Sequence, residues 1–207
     1  MLPNNLPSNS PADESPGSPG PVEVEIKLRV VDLPATLARI REAGFAEIET
    51  PSFEANVLYD TAEQALRGNQ NALRLREYRG RTVLTFKGKP LPGRHKRREE
   101  LETVVENGAV MAKVLERLGY QPLFRYEKFR SVFGHEGDAG VITLDETPIG
   151  TFLELEGEAG WIDRTAARLG FAVEDYVTAS YATLYLEHCK GAGIEPAHFV
   201  FPAADSE

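Results

Sequence analysis

The sequence is short of the features that would place it in several large protein classes. Cys189 is its only cysteine among 207 residues, so no intramolecular disulfide can form and nothing points to an oxidising compartment. That thiol reads as buried or idle. No uninterrupted apolar stretch is long enough to span a bilayer, and the N-terminus lacks the basic-then-apolar pattern of a secretory signal. A cytoplasmic protein with no membrane partner is expected. Positive charge is also scarce: 23 Lys and Arg stand against 32 Asp and Glu, a net charge of −9. This argues against a general affinity for nucleic acid or anionic lipid, although a concave site can still be locally basic. His135, His188 and His198 lack a zinc-like spacing. Gly88 and Lys89 lack the preceding glycine and following hydroxyl of a phosphate-binding loop, and no Ser–His–Asp arrangement is recognisable.

What is present is an ordinary globular composition, 42% hydrophobic and 27% charged, long enough for one full domain. Residues 1–21 are rich in Pro, Ser, Asn and Gly and read as a disordered tail. The folded domain is expected over residues 22–190. Residues 191–207 read as a loosely ordered extension, with Phe199, Val200 and Phe201 available to dock on the domain.

The dominant pattern is strict alternation. Val22, Val24, Ile26, Leu28 and Val30 are apolar, while Glu23, Glu25, Lys27 and Arg29 are charged, the period of a strand. Residues 73–76 alternate likewise, Gly80 marks a turn, and 82–87 returns as a hairpin partner. Further strands are expected at 53–59, 97–105, 125–133, 140–145 and 151–158. Helices are expected at 33–43 behind Asp32, from Asn107 to near 118, at 160–169 and at 179–189, three of them ending before a glycine. The pattern is α+β with mainly antiparallel hairpins.

The polar strand faces need explaining. They read Glu23, Glu25, Lys27; Arg74, Arg76; Thr85, Lys87; Arg98, Glu100, Glu102; Lys128, Arg130; Asp145; Glu154, Glu156. Carboxylates two residues apart on a strand share one side, and like charges so placed repel unless something compensates. A charged solvent face accounts for any one strand. Across so many strands, an inward-facing site is the alternative. Glutamate pairs would suit a hard divalent cation, and Arg and Lys pairs a polyanion such as phosphate.

The motif series resembles the CYTH domain family, the triphosphate tunnel metalloenzymes. Glu23, Glu25 and Lys27 stand as ExExK. Ala72, Leu73, Arg74 and Arg76 resemble its ALRxR strand; Thr85, Lys87 and Gly88 its TxKG strand; and Arg98, Glu100 and Glu102 its RxExE strand. Lys128 and Arg130 stand for KxR. Leu144 and Asp145, followed by Gly150, Phe152, Glu154 and Glu156, resemble LDxxxxLGxFxExE, with Ile149 in place of the usual Leu; Ser180 and Tyr181 resemble a closing SY helix. The resemblance spans Val22 to about His188.

It implies a closed antiparallel β-barrel of about eight strands with helices packed outside, a form that removes exposed sheet edges. By the same resemblance, Glu23, Glu25, Glu100, Glu102, Asp145, Glu154 and Glu156 would hold or support Mg²⁺ or Mn²⁺ in a two-metal site. Lys27, Arg74, Arg76, Lys87, Lys128 and Arg130 would hold the triphosphate, with Glu25 and Lys27 taking the catalytic part. Arg98 should face inward, Arg29 should reach the tunnel mouth, and Tyr181 reads equally well as a buried aromatic. Residues 94–98 read as a flexible loop near that mouth. The implied function is hydrolysis of a small triphosphate (tripolyphosphate, thiamine triphosphate or ATP) by a monomer or homodimer. Conversion of ATP to cyclic AMP and pyrophosphate, as in class IV adenylate cyclases, is the alternative. A binding module without turnover is a third reading, and a lipocalin-like carrier suits a charge-lined interior badly.

Overall fold

A computed structural model describes residues 20–202; the tail expected at the N-terminus and residues 203–207 lie outside the described residues, Gly20 and Pro21 apart. Eight strands follow one another around a closed antiparallel barrel: β1 (Val22–Val30), β2 (Ala46–Asp60), β3 (Ala72–Tyr78), β4 (Arg81–Lys87), β5 (Lys96–Val105), β6 (Gln121–Gly134), β7 (Val141–Thr147) and β8 (Gly150–Glu156). Their spatial order is β1-β5-β4-β3-β2-β6-β7-β8, with β8 returning to β1. Closure pairs both edges of each strand, which is how a chain so rich in strands leaves no open edge.

Alternation decides which side is dry. In β1, Ile26 and Leu28 point outward and are fully buried, because α1 (Leu33–Glu42) and α4 (Ala159–Arg168) lie across them. Ile40 and Phe45, the second just beyond α1, together with Trp161, Ile162 and Leu169, form one core with Ile142, Leu144, Leu153 and Leu155 of β7 and β8. A smaller core joins Leu115 of α3 (Gly108–Arg117) to Tyr59 and Leu75. These two clusters lie outside the barrel, and the charged faces turn inward.

Local chemistry explains most element boundaries. Asp32 accepts from the Ala35 amide at 2.9 Å, and Asn107 from that of Val110 at 3.0 Å, each capping a helix start. Beyond the ends of these two helices, Gly44 and Gly119 take φ of 82° and 91°, a region that costs residues with a Cβ.

Several expectations are corrected. β2 begins at Ala46 rather than residue 53, and its first half pairs with β6 through register shifts between Glu47 and Glu49 and between Glu49 and Ser52. Glu158 is not a strand residue; its carboxylate caps α4 by accepting from Gly160 and Trp161. A one-turn α2 (Ala65–Gly68) is additional. α5 (Tyr181–Ala192) starts behind Ser180, whose hydroxyl accepts from Thr183. Beyond it the chain returns to the barrel at Phe199. Phe199 is 1% exposed and its backbone bonds both Arg125 and Glu127 of β6. The 94–98 run is likewise anchored: Arg94 pairs with Asp163 of α4, His95 Nε2 meets Asp163 Oδ1 at 2.8 Å, and Lys96 opens β5.

Candidate functional site

The barrel encloses a cavity of about 770 Å³. Chain order interleaves acids and bases, but barrel order separates them. Glu154 and Glu156 of β8, Glu23 and Glu25 of β1, and Glu100 and Glu102 of β5 occupy three neighbouring strands. Lys87 of β4, Arg74 and Arg76 of β3, and Lys128 and Arg130 of β6 line the facing arc. Among the described residues, the wall carries nine cationic side chains against seven carboxylates. The lining surface is therefore locally basic, with the buried carboxylates of Glu54 and Asp145 standing directly behind it.

Lys27, Lys96 and Arg98 stand inside the acidic arc and tie it together. Lys27 Nζ lies 3.1 Å from Glu25 and 2.9 Å from Glu154, and Lys96 Nζ lies 2.6 Å from Glu25. Arg98 approaches Glu23 at 3.6 Å. Across the arc boundary, Lys87 bridges Glu23 at 2.8 Å and Glu100 at 2.9 Å. Burial disfavours ionised Glu25, but Lys27, Lys96 and Lys87 overcome it and hold its carboxyl well below the usual range. Burial also opposes the charge on Lys27, yet Glu154 and Glu25 raise its pKa above the ordinary value, so it remains a fixed cation.

Two carboxyls behave oppositely. Burial raises Glu100 to about 7, with Glu23 adding to the rise against Lys87. Burial, then Glu23, Glu25 and Glu154, raises Glu156 to about 7, although its side chain still reaches solvent. These are crowded acids lacking sufficient counter-charge, the condition that a hard divalent cation relieves. The donor set thus fits Mg²⁺ or Mn²⁺. Among the described residues, however, no three acidic or histidine side chains converge as a ready-made metal cluster. The lysines now occupy the carboxylates.

On the facing arc, Arg74 and Arg76 approach Glu102 at 3.3 and 3.6 Å. Arg130 clasps Asp145 through Nε at 2.7 Å and Nη2 at 2.6 Å, and also touches Glu154. Asp145 takes further bonds from Lys128 at 2.9 Å and from the Tyr181 hydroxyl at 2.7 Å. It is fully buried and stands behind the cavity lining. Its visible part is to hold these three side chains, a different position from that of the six glutamates. Tyr181 is buried as expected, but it also packs its ring 5.1 Å from Lys27 and 5.0 Å from Lys128. Arg29 does not join the cavity; it is exposed and lies over the Phe152 ring.

Three residues were not anticipated. Glu54 and Asn56 of β2 are both fully buried. Glu54 lies 3.4 Å from Lys128 and 4.0 Å from Arg76, and its Oε1 accepts from Asn56 at 2.9 Å. Burial opposes its charge, but Lys128, Arg130, Arg74 and Arg76 lower its pKa to about 2. Their alternation with Phe53 and Val57 was a usable signal. So was the parity of Lys96 with Arg98 and Glu100.

Comparisons with known proteins agree with this architecture. The family model described as the CYTH domain matches residues 22–178. A protein of Methanocaldococcus jannaschii, provisionally named an adenylate cyclase, is 29% identical over 135 residues, 65% of this chain and 76% of that one. A Vibrio parahaemolyticus structure with the same provisional name is 25% identical at a TM-score of 0.68, covering 79% of this chain and 97% of that one. The PH1819 protein of Pyrococcus horikoshii is also 25% identical at a TM-score of 0.68, over 80% and 99% of the two chains. The chain belongs to the CYTH domain family.

Proposed function

We propose that this protein is a divalent-metal-dependent phosphohydrolase that cleaves a triphosphate inside the barrel. The observation that carries the reading is the separation of the wall into an acidic arc on β8, β1 and β5 and a cationic arc on β4, β3 and β6. A site that only bound anions would gain nothing from carboxylates beside phosphate, whereas a metal-assisted phosphoryl site needs both.

Arg74, Arg76, Lys87, Lys128 and Arg130 are assigned to the phosphate oxygens, with the arginine forks suited to bidentate contact. Asp145 and Glu54 keep those forks and the Lys128 ammonium in place from behind. Glu23, Glu25, Glu100, Glu102, Glu154 and Glu156 are assigned to Mg²⁺ or Mn²⁺, which when bound would neutralise charge on phosphate oxygens and lower the pKa of water. Lys27, held permanently charged, is assigned to stabilise charge growing on the transferred phosphoryl group. Glu25, held ionised, can accept a hydrogen bond from the attacking water and orient it.

Cyclisation of ATP is a second reading, favoured by the provisional names of the Methanocaldococcus and Vibrio relatives. It additionally requires the ribose 3′-hydroxyl to fold back onto the α-phosphorus, whereas hydrolysis needs only the phosphate chain and water. The deciding experiment incubates purified protein and Mg²⁺ or Mn²⁺ with tripolyphosphate, thiamine triphosphate or ATP, resolving phosphate, pyrophosphate and cyclic AMP. Phosphate release is expected. Cyclic AMP with pyrophosphate would replace hydrolysis by cyclisation, and no turnover of any substrate would leave a binding module.

A further inference from the structure

The barrel wall is incomplete where β1 and β5 part. The two strands pair only from Val22 to Glu25 against Lys96 to Glu99, so β1 has no β5 partner beyond Glu25. Two irregular segments fill the opening. Residues 173–178 supply Val177, which exchanges two backbone hydrogen bonds with Lys27, each 2.9 Å. Residues 88–95 fold back along β5, where the Leu91 amide donates to the Arg97 carbonyl at 2.7 Å. Packing alone does not hold this second segment, because a hollow of about 660 Å³ lies between it and Gln70 and Thr178.

Both segments are tied to one carboxylate outside the barrel. Asp163 Oδ1 accepts from the Tyr176 hydroxyl at 3.1 Å and meets His95 Nε2 at 2.8 Å, while Oδ2 pairs with Arg94. The Arg94 side chain is largely exposed and adds little. His95, by contrast, is buried, and its ring centre lies 5.9 Å from that of Tyr176. Burial works against the Asp163 charge, but His95, Tyr176 and Arg94 lower its pKa below the ordinary value. Burial and Asp163 together raise Tyr176 to about 12, so the phenol stays a donor. The post itself is rigid. Glu158 caps α4, and Trp161, Ile162, Thr165 and Ala166 are buried around Asp163.

Each buried member of this latch stands one position from the charged site. Lys96 follows His95 in sequence, and Val177, the partner of Lys27, follows Tyr176. Lys96 and Lys27 both reach the same Glu25 oxygen, Oε1, at 2.6 and 3.1 Å. We propose that Asp163 is a positioning residue: through His95 and Tyr176 it fixes the backbone from which the Lys96 and Lys27 ammonium groups enter the acidic arc. Its consequence for turnover rests on the phosphohydrolase reading of Glu25 and Lys27, whereas the placement itself does not. Misplacing reacting groups by about 1 Å through a distant change costs on the order of 100-fold in rate. A clasp that served stability alone would leave the rate untouched.

The test compares the full chain with Asp163→Ala and the milder Tyr176→Phe, each well below its unfolding temperature. Brief amine acetylation, mapped by mass spectrometry, reports how often each lysine leaves its place. Lys96 should label roughly tenfold faster in Asp163→Ala, because losing a charged hydrogen bond makes local opening that much commoner. Lys128, buried on the opposite arc, should label at the parental rate, which reports an intact barrel. Tyr176→Phe, which removes one bond only, should speed Lys96 labelling by a smaller factor, and it decides the matter if Asp163→Ala folds poorly. In hydrolysis of whichever triphosphate the parent turns over, kcat should fall about tenfold or more with KM within about threefold. Parental Lys96 labelling in both variants would overturn the placement and leave Asp163 a clasp. Faster labelling with unchanged kcat would overturn its part in turnover. A parent that turns over no triphosphate would sink the phosphohydrolase reading alone, and labelling would still support or overturn the placement of Lys96.

Discussion

At the scale of single residues, the site depends on buried charges that hold one another in place. Glu154 touches Lys27, Lys128 and Arg130, so its removal disturbs three cations at once. Glu154→Gln keeps the volume and a hydrogen-bonding head while removing the charge. Turnover should fall by about 100-fold or more, the scale seen when one preorganised electrostatic group is lost. The protein should remain folded by circular dichroism, and activity within threefold of the parent would remove Glu154 from the metal site. Glu54 makes a prediction about pH. Its pKa is lowered from 4.5 to about 2, with Lys128 and Arg130 overcoming the effect of burial, and a depressed acid stabilises the fold above its unfolded pKa. That contribution, on the order of 3 kcal/mol, is present above about pH 4.5 and is lost as pH falls toward 2. Urea titrations across this window should show parental stability dropping more steeply than that of Glu54→Gln. Parallel curves would mean that Glu54 is not the counter-charge of the cationic arc. The residue scale is also where sequence reading was least complete. Glu23, Glu25, Lys27, Arg74 and Arg76 were legible because alternation and motif spacing coincide. Glu54 and Asn56 share the alternation of β2 but belong to none of the spaced motifs, so the strand signal was present while their place behind Lys128 shows only on closure.

At the scale of elements, boundaries were legible wherever a local chemical signal marked them, as with the caps Asp32 and Asn107. They were illegible where pairing breaks its own period. The first half of β2 carries Glu47, Glu49, Thr50 and Pro51, and its register shifts against β6 erase the two-residue pattern by which strands are recognised. Glu158 was misassigned for a related reason: alternation continues one residue pair past β8, but the residue has turned to cap α4. That helix also constrains the glycine just before β7. A Cβ on Gly140 would meet the Trp161 ring at 2.4 Å, and the indole is fixed by its bond to Asp138 at 3.0 Å and by edge contact with Phe45. Gly140→Ala should therefore displace α4 from the barrel end and destabilise the protein by about 1–3 kcal/mol, read as a lower urea midpoint with unchanged slope. A midpoint equal to the parent's would show that the tryptophan moves freely and does not lock the helix.

At the scale of the whole molecule, the barrel converts sequence neighbours into opposing arcs, and this has an energetic consequence. Each carboxylate assigned to metal, Glu156 excepted, now has a cationic partner close by: Lys27 and Lys96 on Glu25, Lys27 and Arg130 on Glu154, Lys87 on Glu23 and Glu100, Arg74 and Arg76 on Glu102. A divalent ion must compete with those cations for the same oxygens. A triphosphate offers the cations a better-charged partner and draws them away. The two ligands should therefore assist each other beyond their direct contact, and linkage requires the effect to be equal in both directions. The measurement is thermal unfolding with tripolyphosphate alone, Mg²⁺ alone and both, with free concentrations corrected for the metal–triphosphate complex that forms in solution. A ligand at about 100 times its dissociation constant adds roughly 2.7 kcal/mol to stability, so coupling of typical size, about 1–3 kcal/mol, is readable above the sum of the separate shifts. Mg²⁺ alone should give the smallest shift. Raising salt should reduce the tripolyphosphate effect only modestly, because the arcs are largely shielded from solvent and screening acts mainly on exposed charges. If the combined shift equals the sum of the two, the lysines are bystanders, and the carboxylates are already free to bind metal without substrate.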